Sequence, residues 1–149
     1  MRSSASKPGR STSVLPLQWS IASDVAEIEA IVNAVSSACV AAGFAEKVCR
    51  LNVPVALTEA IANAIVRGNN SDVSRRVLVC AGIDNGTLCI EVTDEGTGFD
   101  LIAVRAMAEA PDWATREDGR GVFLMHALMD KVETWCDRGH TVRLVLRRT

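Results

Sequence analysis

The chain contains few aromatic residues, with three Phe, three Trp and no Tyr among its 149 positions. The hydrophobic residues, 48% of the chain, are therefore mostly aliphatic, and they are numerous enough to form a core without metals or crosslinks. A chain of this length suits one compact domain. We expect one domain with a single aliphatic core.

The cysteines show no pairing pattern. They are five, an odd number, and they are scattered without the C-x-x-C spacing that is typical of zinc sites and redox pairs. Unpaired cysteines fit a reducing compartment. The sequence therefore predicts a protein of the cytoplasm.

Strong charge and long apolar runs are missing as well. The net charge of −2 and the pI of about 5.7 argue against proteins that bind nucleic-acid phosphates or coat anionic membranes. The sequence contains no uninterrupted run of about 18 apolar residues, so it predicts no membrane span. Residues Met1–Thr12 are rich in Ser, Arg, Lys and Gly and lack the apolar segment of a signal peptide, so we interpret them as a disordered tail before a single domain, 13–149.

The pattern of apolar and turn residues predicts elements in the order β-α-α-β-β-α-α-β-β. This order is typical of an α+β two-layer sandwich, with a mixed, mainly antiparallel sheet and helices on one face. Pro16 favours an edge position for the first strand. The predicted strands are Val14–Trp19, Arg75–Ile83, Thr87–Thr93, Lys131–Cys136 and Thr141–Arg147. A turn at Asp84–Gly86 joins the second strand to the third, and a turn at Asp137–Gly139 joins the fourth to the fifth. The predicted helices begin at Ser23 or Asp24, at Asn52 and Pro54, at Leu101 and at Gly119 or Gly121, and end near Gly43, Gly68, Glu109 and Asp130, with Pro111–Asp118 irregular.

Both common phosphate-binding signatures, the P-loop and the Rossmann fingerprint, are absent from the sequence. Three other polar groupings stand out, and the first lies on the second helix. Glu59, Asn63 and Arg67 follow one another at i, i+4 and i+8, away from the apolar face. A solvated helix face would explain this spacing, but a mid-helix Asn costs about half a kcal/mol relative to Ala, which favours a role for the amide.

The second grouping, Asp94-Glu95-Gly96-Thr97-Gly98, comes directly after a strand. Glycines two residues apart let the backbone approach a ligand, and an Asp at a strand end offers an acceptor to a ring amine. An ordinary glycine turn is the alternative interpretation.

The third grouping is Gly119-Arg120-Gly121, followed by an apolar helix. Free N–H groups at a helix start, with the helix dipole and the Arg120 charge, can receive phosphate oxygens. A flexible hinge before the helix is the alternative interpretation.

Taken in order, the three groupings resemble the N, G1 and G2 boxes of the GHKL (Bergerat-fold) ATPase superfamily. The run from Gly119 through Met125, with Leu128-Met129-Asp130-Lys131-Val132 after it, is similar to that of the anti-sigma-factor serine/threonine kinases. The separation of Phe99 from Gly119 leaves room for a short lid only. The resemblance extends from Leu15 to Arg147 and implies the Bergerat ATP-binding fold.

The resemblance also implies roles for individual residues. Asn63 would hold the Mg²⁺ that accompanies ATP, Glu59 would be the catalytic base that activates a hydroxyl acceptor, and Asp94 would bind the adenine amine. The remaining candidates for ATP contacts are Arg67, Gly96, Gly98, Gly119, Arg120, Gly121 and Thr141.

Two positions depart from the pattern of the relatives. Arg67 stands where they often have His, and Gly139-His140-Thr141 stands where they often read Gly-Thr, so Thr141 or a water molecule would have to support the adenine site.

The partners implied by the resemblance are proteins. A STAS-type anti-anti-sigma antagonist would carry the acceptor Ser or Thr, the chain would sequester a sigma factor, and it would form a homodimer. A module that binds ATP and sequesters a partner without catalysis is the alternative function.

Overall fold

The computed structural model describes residues 16–96 and 117–149. The predicted tail, the predicted helix Leu101–Glu109 and Gly98 lie outside these residues. The described strands are β1 (Leu17–Ala22), β2 (Arg76–Asp84), β3 (Thr87–Asp94), β4 (Lys131–Cys136) and β5 (His140–Arg147), and the described helices are α1 (Ile28–Ala41), α2 (Val53–Asn63) and α3 (Glu117–Leu128).

The five strands form one sheet in the order β1-β2-β3-β5-β4. All four strand pairs are antiparallel, so the described part of the sheet contains no parallel pair of the kind that a mixed sheet would have. The predicted α+β architecture is confirmed, and β1 occupies the edge that was predicted for it. The first strand begins at Leu17, after Pro16, because a proline cannot donate a hydrogen bond to the neighbouring strand.

The core lies between the sheet and the helices. Helix α2 contributes Leu57, Ile61 and Ile65 from its own span and its last turn, and all three are fully buried. They pack with strand residues that alternate along the sheet, such as Val79 and Ile90. Because each buried aliphatic side chain contributes about 1.5–3 kcal/mol, this stripe anchors α2 firmly against the sheet.

Helix α2 is longer than the sequence indicated. It continues at both ends into π-helical turns, Val48–Asn52 and Ala64–Gly68. The predicted start of α2 is confirmed: the helix begins at Val53, with Asn52 as its N-cap and Pro54 in its first turn, where the missing N–H costs no hydrogen bond. The π-helical turn before it was not predicted.

The whole helical segment Val48–Gly68 is long and apolar enough, by length and composition, to cross a membrane. The core helix of a soluble protein meets the same criteria. Here the apolar stripe of the helix lies in the core described above.

Two hairpins were predicted correctly. Asn85 and Gly86 both have positive φ, 52° and 73°, as the two central residues of a type I′ turn require. Arg138 and Gly139 have φ values of 58° and 115° at the β4–β5 turn. Strand β5 begins at His140 rather than at the predicted Thr141, so His140 is paired with Asp94 on β3.

The buried cysteines provide a test of the core. Cys39 is fully buried, and burial together with the neighbouring Cys49 raises the pKa of the Cys39 thiol to about 11. Since the thiolate is the reactive form, we expect iodoacetamide near pH 8 to modify Cys39 at least about 100-fold more slowly in the folded protein than in denaturant. Peptide mass spectrometry over time measures this, and equal rates in both states would contradict the buried position of α1.

Candidate functional site

A cavity of about 300 Å³ lies between helices α2 and α3. The three polar residues predicted on one side of α2, Glu59, Asn63 and Arg67, all line it, and Arg120 of α3 lines it from the opposite side. Ala62, Val66 and Leu124 form the apolar part of the wall. The structure therefore joins the first and third groupings of the sequence into one site.

The charges around the cavity suit an anion. Two guanidinium groups, those of Arg67 and Arg120, stand against the single carboxylate of Glu59. Guanidinium groups bind phosphate oxygens with two parallel hydrogen bonds and keep their charge at all physiological pH values. The cavity can therefore hold a phosphate chain with the carboxylate beside it.

Gly121 brings helix α3 close to α2. A Cβ atom at this position would overlap the Glu59 carboxylate, so a larger residue would require that carboxylate to move. The prediction that α3 begins at Gly119 or Gly121 was wrong, because the helix begins at Glu117. Glu117 and Asp118, the last two residues of the stretch that was predicted to be irregular, are therefore helical. Because glycine is a poor helix former, Gly119 and Gly121 were interpreted as signals of a helix start. The close packing against Glu59 of α2 explains the glycine at position 121 instead.

Asn63 carries an unsatisfied polar atom. Its Nδ2 is buried and has no hydrogen-bond partner among residues 16–96 and 117–149. Such an atom costs about 1–3 kcal/mol, and it commonly indicates a position where a ligand binds. The carboxamide can also turn by 180° and present its oxygen, the atom that a hard cation such as Mg²⁺ prefers.

A metal at Asn63 would need ligands from elsewhere. Residues 16–96 and 117–149 contain no group of three or more His, Cys, Asp or Glu side chains that could hold a metal ion. Mg²⁺ commonly binds through one or two protein oxygens together with phosphate oxygens and water. Asn63 fits that mode of binding, in which the nucleotide supplies most of the ligands.

Asp94 lies at the end of β3 and is 3% exposed. Its Oδ1 accepts a hydrogen bond of 2.8 Å from the N–H of Gly96. Two glycines make room for this loop: a Cβ at Gly68 would overlap the Asp94 carboxylate, and a Cβ at Gly96 would overlap the Gly68 carbonyl oxygen. The second sequence grouping is thus packed directly against the end of the helical segment that carries Glu59 and Asn63.

Sequence reasoning assigned Gly68 only to the end of the second helix. Its close contact with Asp94 gives it a second role in the site. The signal was present in the sequence as a glycine directly after Arg67, but the residue that it faces is distant along the chain. Only the fold reveals the contact.

We expect Gly68→Ala to displace the Asp94 carboxylate. The added methyl group cannot share the space of a short, buried side chain, and Asp94 must shift or the backbone must move. A loss of about 10-fold or more in ATP affinity should follow, measured by isothermal titration calorimetry. Gly82→Ala on β2 is a control away from the site, and an unchanged affinity in Gly68→Ala would contradict the packing of this wall.

The structure does not bring Thr141 to Asp94. The hydroxyl of Thr141 lies 2.7 Å from that of Thr93, its partner across the β3–β5 ladder. Successive side chains of a strand point to opposite faces of the sheet, so Thr141 is turned away from the face that holds Asp94. His140 takes that place, because its Nδ1 lies 3.7 Å from the Asp94 carboxylate and its Nε2 lies 2.5 Å from the Thr134 hydroxyl.

His140 was noted in the sequence only as a departure from the pattern of the relatives. It is 3% exposed and lies directly behind the Asp94 carboxylate. A Cβ atom at Gly139 would overlap the Asp94 carbonyl oxygen, so the turn passes close to the end of β3. The β4–β5 turn therefore forms the rear wall of this part of the site.

Comparison with known proteins agrees with this geometry. The family model described as the histidine kinase-like ATPase domain matches residues 21–146. The anti-sigma F factor of Clostridium acetobutylicum is 32% identical over 103 residues, which cover 65% of this chain and 68% of that protein. The serine-protein kinase RsbW of Oceanobacillus iheyensis is 34% identical over 87 residues, 55% of each chain, so this chain spans only about half the length of that relative.

A solved structure has a similar fold. The RsbU and RsbW domains of Rv1364c from Mycobacterium tuberculosis superpose with a TM-score of 0.58 over 89% of this chain and 31% of that one, at 19% sequence identity. The family match spans the strands and helices that build both parts of the site. The chain therefore belongs to the histidine kinase-like ATPase domain family, in the anti-sigma-factor kinase branch of the GHKL superfamily.

Proposed function

We propose that this chain is an ATP-dependent serine/threonine protein kinase that also acts as an anti-sigma factor. The observation that carries the proposal is the cavity between α2 and α3, where Glu59 and Asn63 face Arg120. In phosphoryl transfer to a hydroxyl, a carboxylate can activate the acceptor, an amide oxygen can hold Mg²⁺, and a guanidinium group can stabilise charge on the phosphate. The names of the relatives, an anti-sigma F factor and a serine-protein kinase, support the same function.

Asp94 is the proposed adenine-binding residue. Because Oδ1 already accepts the Gly96 N–H, the exocyclic amine of the base would donate to Oδ2, the oxygen that lies against Gly68 and 3.7 Å from His140 Nδ1. Gly68 and Gly96 keep the surrounding backbone close, and Gly98, outside the described residues, belongs to the same proposed loop. His140 replaces Thr141 in this proposal as the residue that supports the carboxylate.

Asn63 is the proposed magnesium ligand and Glu59 the proposed base. Bound Mg²⁺ would neutralise charge on the phosphates. Glu59 would accept the proton of the attacking Ser or Thr hydroxyl, in the same cavity that holds the terminal phosphate.

Arg120 and Arg67 are the proposed phosphate contacts. Both line the cavity, and each can stabilise the negative charge on the phosphoryl group during transfer. Gly119 lies in the first turn of α3, where free N–H groups can add further contacts, and Gly121 holds that turn against Glu59.

The proposed partners are proteins of the cytoplasm. A STAS-type antagonist would supply the acceptor hydroxyl, and its phosphorylation would free the chain to sequester a sigma factor. A homodimer of the chain is part of the proposal. Neither a nucleic acid nor a membrane is required for this cycle.

The proposal is tested by incubating the purified chain with Mg²⁺, ATP labelled at the γ-phosphate and a STAS-domain protein encoded beside its gene. We expect label on a Ser or Thr of the STAS protein, and binding of the unphosphorylated STAS protein to release a sigma factor from the chain. Calorimetry with Mg-ATP in the same buffer is the companion measurement. Binding of ATP without any labelled product would overturn the kinase assignment and favour the non-catalytic sequestering module.

A further inference from the structure

Asn69, directly after the π-helical end of α2, is fully buried and has its hydrogen-bonding groups engaged in three directions. Its Nδ2 donates to the Ser23 hydroxyl at 2.9 Å and to the Arg76 carbonyl at 3.0 Å. Its Oδ1 accepts the Glu95 N–H at 2.8 Å. A buried amide with both donors and its acceptor in use has one favourable orientation.

These bonds connect segments that are far apart in the sequence. Ser23 follows β1, Arg76 begins β2, and Glu95 follows Asp94 in the proposed adenine loop. The Ser23 hydroxyl donates in turn to the Arg75 carbonyl at 2.8 Å, and the Glu95 carboxylate accepts the Arg76 N–H. Glu95 is therefore held by its backbone through Asn69 and by its side chain through Arg76.

The position of Glu95 determines that of its neighbour. Asp94 leads from β3 into this loop, and its carboxylate has little freedom between the Gly68 backbone and His140. A change in the backbone at Glu95 would rotate the Asp94 carboxylate relative to the base. Asn69 touches neither the base nor the phosphates in this proposal, so its action on the site is indirect.

We propose that Asn69 is a positioning residue that sets the preference of the site for adenine over guanine nucleotides. The inference rests on the proposed function, in which Asp94 accepts the adenine amine. Guanine carries a carbonyl oxygen where adenine carries that amine, so a fixed carboxylate attracts one base and repels the other. The strength of this discrimination depends on how firmly the carboxylate is held.

The test compares the dissociation constants of Mg-ATP and Mg-GTP for the wild type and for Asn69→Ala, by competition with a fluorescent ATP analogue. We expect the ratio of the GTP to the ATP constant to fall by about 10-fold or more in Asn69→Ala, chiefly through weaker ATP binding. Asn33→Ala, at an exposed position of α1, is the matched control and should leave the ratio unchanged.

The ratio separates positioning from general stability. A purely structural role would lower the folded fraction, which weakens the apparent binding of both nucleotides equally and leaves the ratio unchanged. An unchanged ratio in Asn69→Ala would therefore overturn the inference. If Asn69→Ala does not fold, Ser23→Ala removes only one of the three partners and should lower the ratio by about threefold. An unchanged ratio in that variant would then reject the inference.

The wild type distinguishes this inference from the proposed function. A wild-type chain that binds neither nucleotide rejects the proposed function and the inference together. A wild-type chain that prefers ATP, combined with an Asn69→Ala variant that keeps the wild-type ratio of the two dissociation constants, rejects only the inference.

Discussion

Replacing Glu59 by Gln is expected to slow phosphoryl transfer to the acceptor hydroxyl by about 10²–10⁴-fold. The amide has nearly the size of the carboxylate and fits beside Gly121, but it cannot accept the proton of the attacking Ser or Thr. The affinity for Mg-ATP should stay within about threefold, because the base acts on the acceptor and not on the nucleotide. Single-turnover transfer to the STAS protein and calorimetry measure the two quantities.

Glu29→Gln is the matched control for this substitution. It makes the same chemical change at an exposed position of α1 and should leave transfer unchanged. Transfer at the wild-type rate in Glu59→Gln would remove Glu59 from the role of base. A parallel loss of ATP binding would instead assign it to the nucleotide or its metal.

Asp94→Asn is expected to weaken ATP binding by about 10–100-fold, the effect of losing a hydrogen bond to a charged group. The physical reason lies in the hydrogen bond that Asp94 already makes. Its Oδ1 accepts the Gly96 N–H, so the Asn oxygen must remain there, and the new NH₂ group then faces the adenine amine, donor against donor. Titration calorimetry with Mg-ATP measures the loss.

The nucleotide used in the titration provides the internal check. Because the new NH₂ group can donate to the guanine carbonyl, the affinity of Asp94→Asn for GTP should fall far less than its affinity for ATP. Asp84→Asn, at the exposed end of β2, is the control for the loss of one carboxylate. An ATP affinity equal to that of the wild type would remove Asp94 from the adenine site.

Both parts of the proposed site depend on the helical segment Val48–Gly68. Glu59 and Asn63 occupy its middle and line the cavity, and Gly68 at its end packs against Asp94. Between them the helix changes to a π-helical turn, Ala64–Gly68. Such turns are frequent at functional sites, and here the turn delivers Gly68 and then Asn69 to the adenine loop.

Much of the fold could be predicted because it depends on local patterns. The alternation of buried and half-buried residues in β3 and the Asp84-Asn85-Gly86 turn are consequences of neighbouring residues, and both were predicted correctly. The start of α2 was also predicted correctly, because Asn52 and Pro54 are local start signals. The start of α3 was wrong, since a glycine such as Gly121 normally indicates a helix boundary. In α3 the packing against α2 outweighs the local preference of the glycines.

The order of the three polar groupings, and with it the family, was determined by the sequence alone. The spacing of Glu59 and Asn63 along one helix follows directly from helical geometry, which needs no knowledge of the rest of the chain.

Only the tertiary structure decided which distant residues meet. It placed Arg120 opposite Glu59, His140 rather than Thr141 behind Asp94, and Asn69 beneath Glu95. The register of β3 with β5 sets His140 opposite Asp94 and turns Thr141 to the other face of the sheet, and a buried amide selects partners from segments far apart in the chain. Local sequence patterns do not encode such contacts, because they arise from the packing of whole elements against one another.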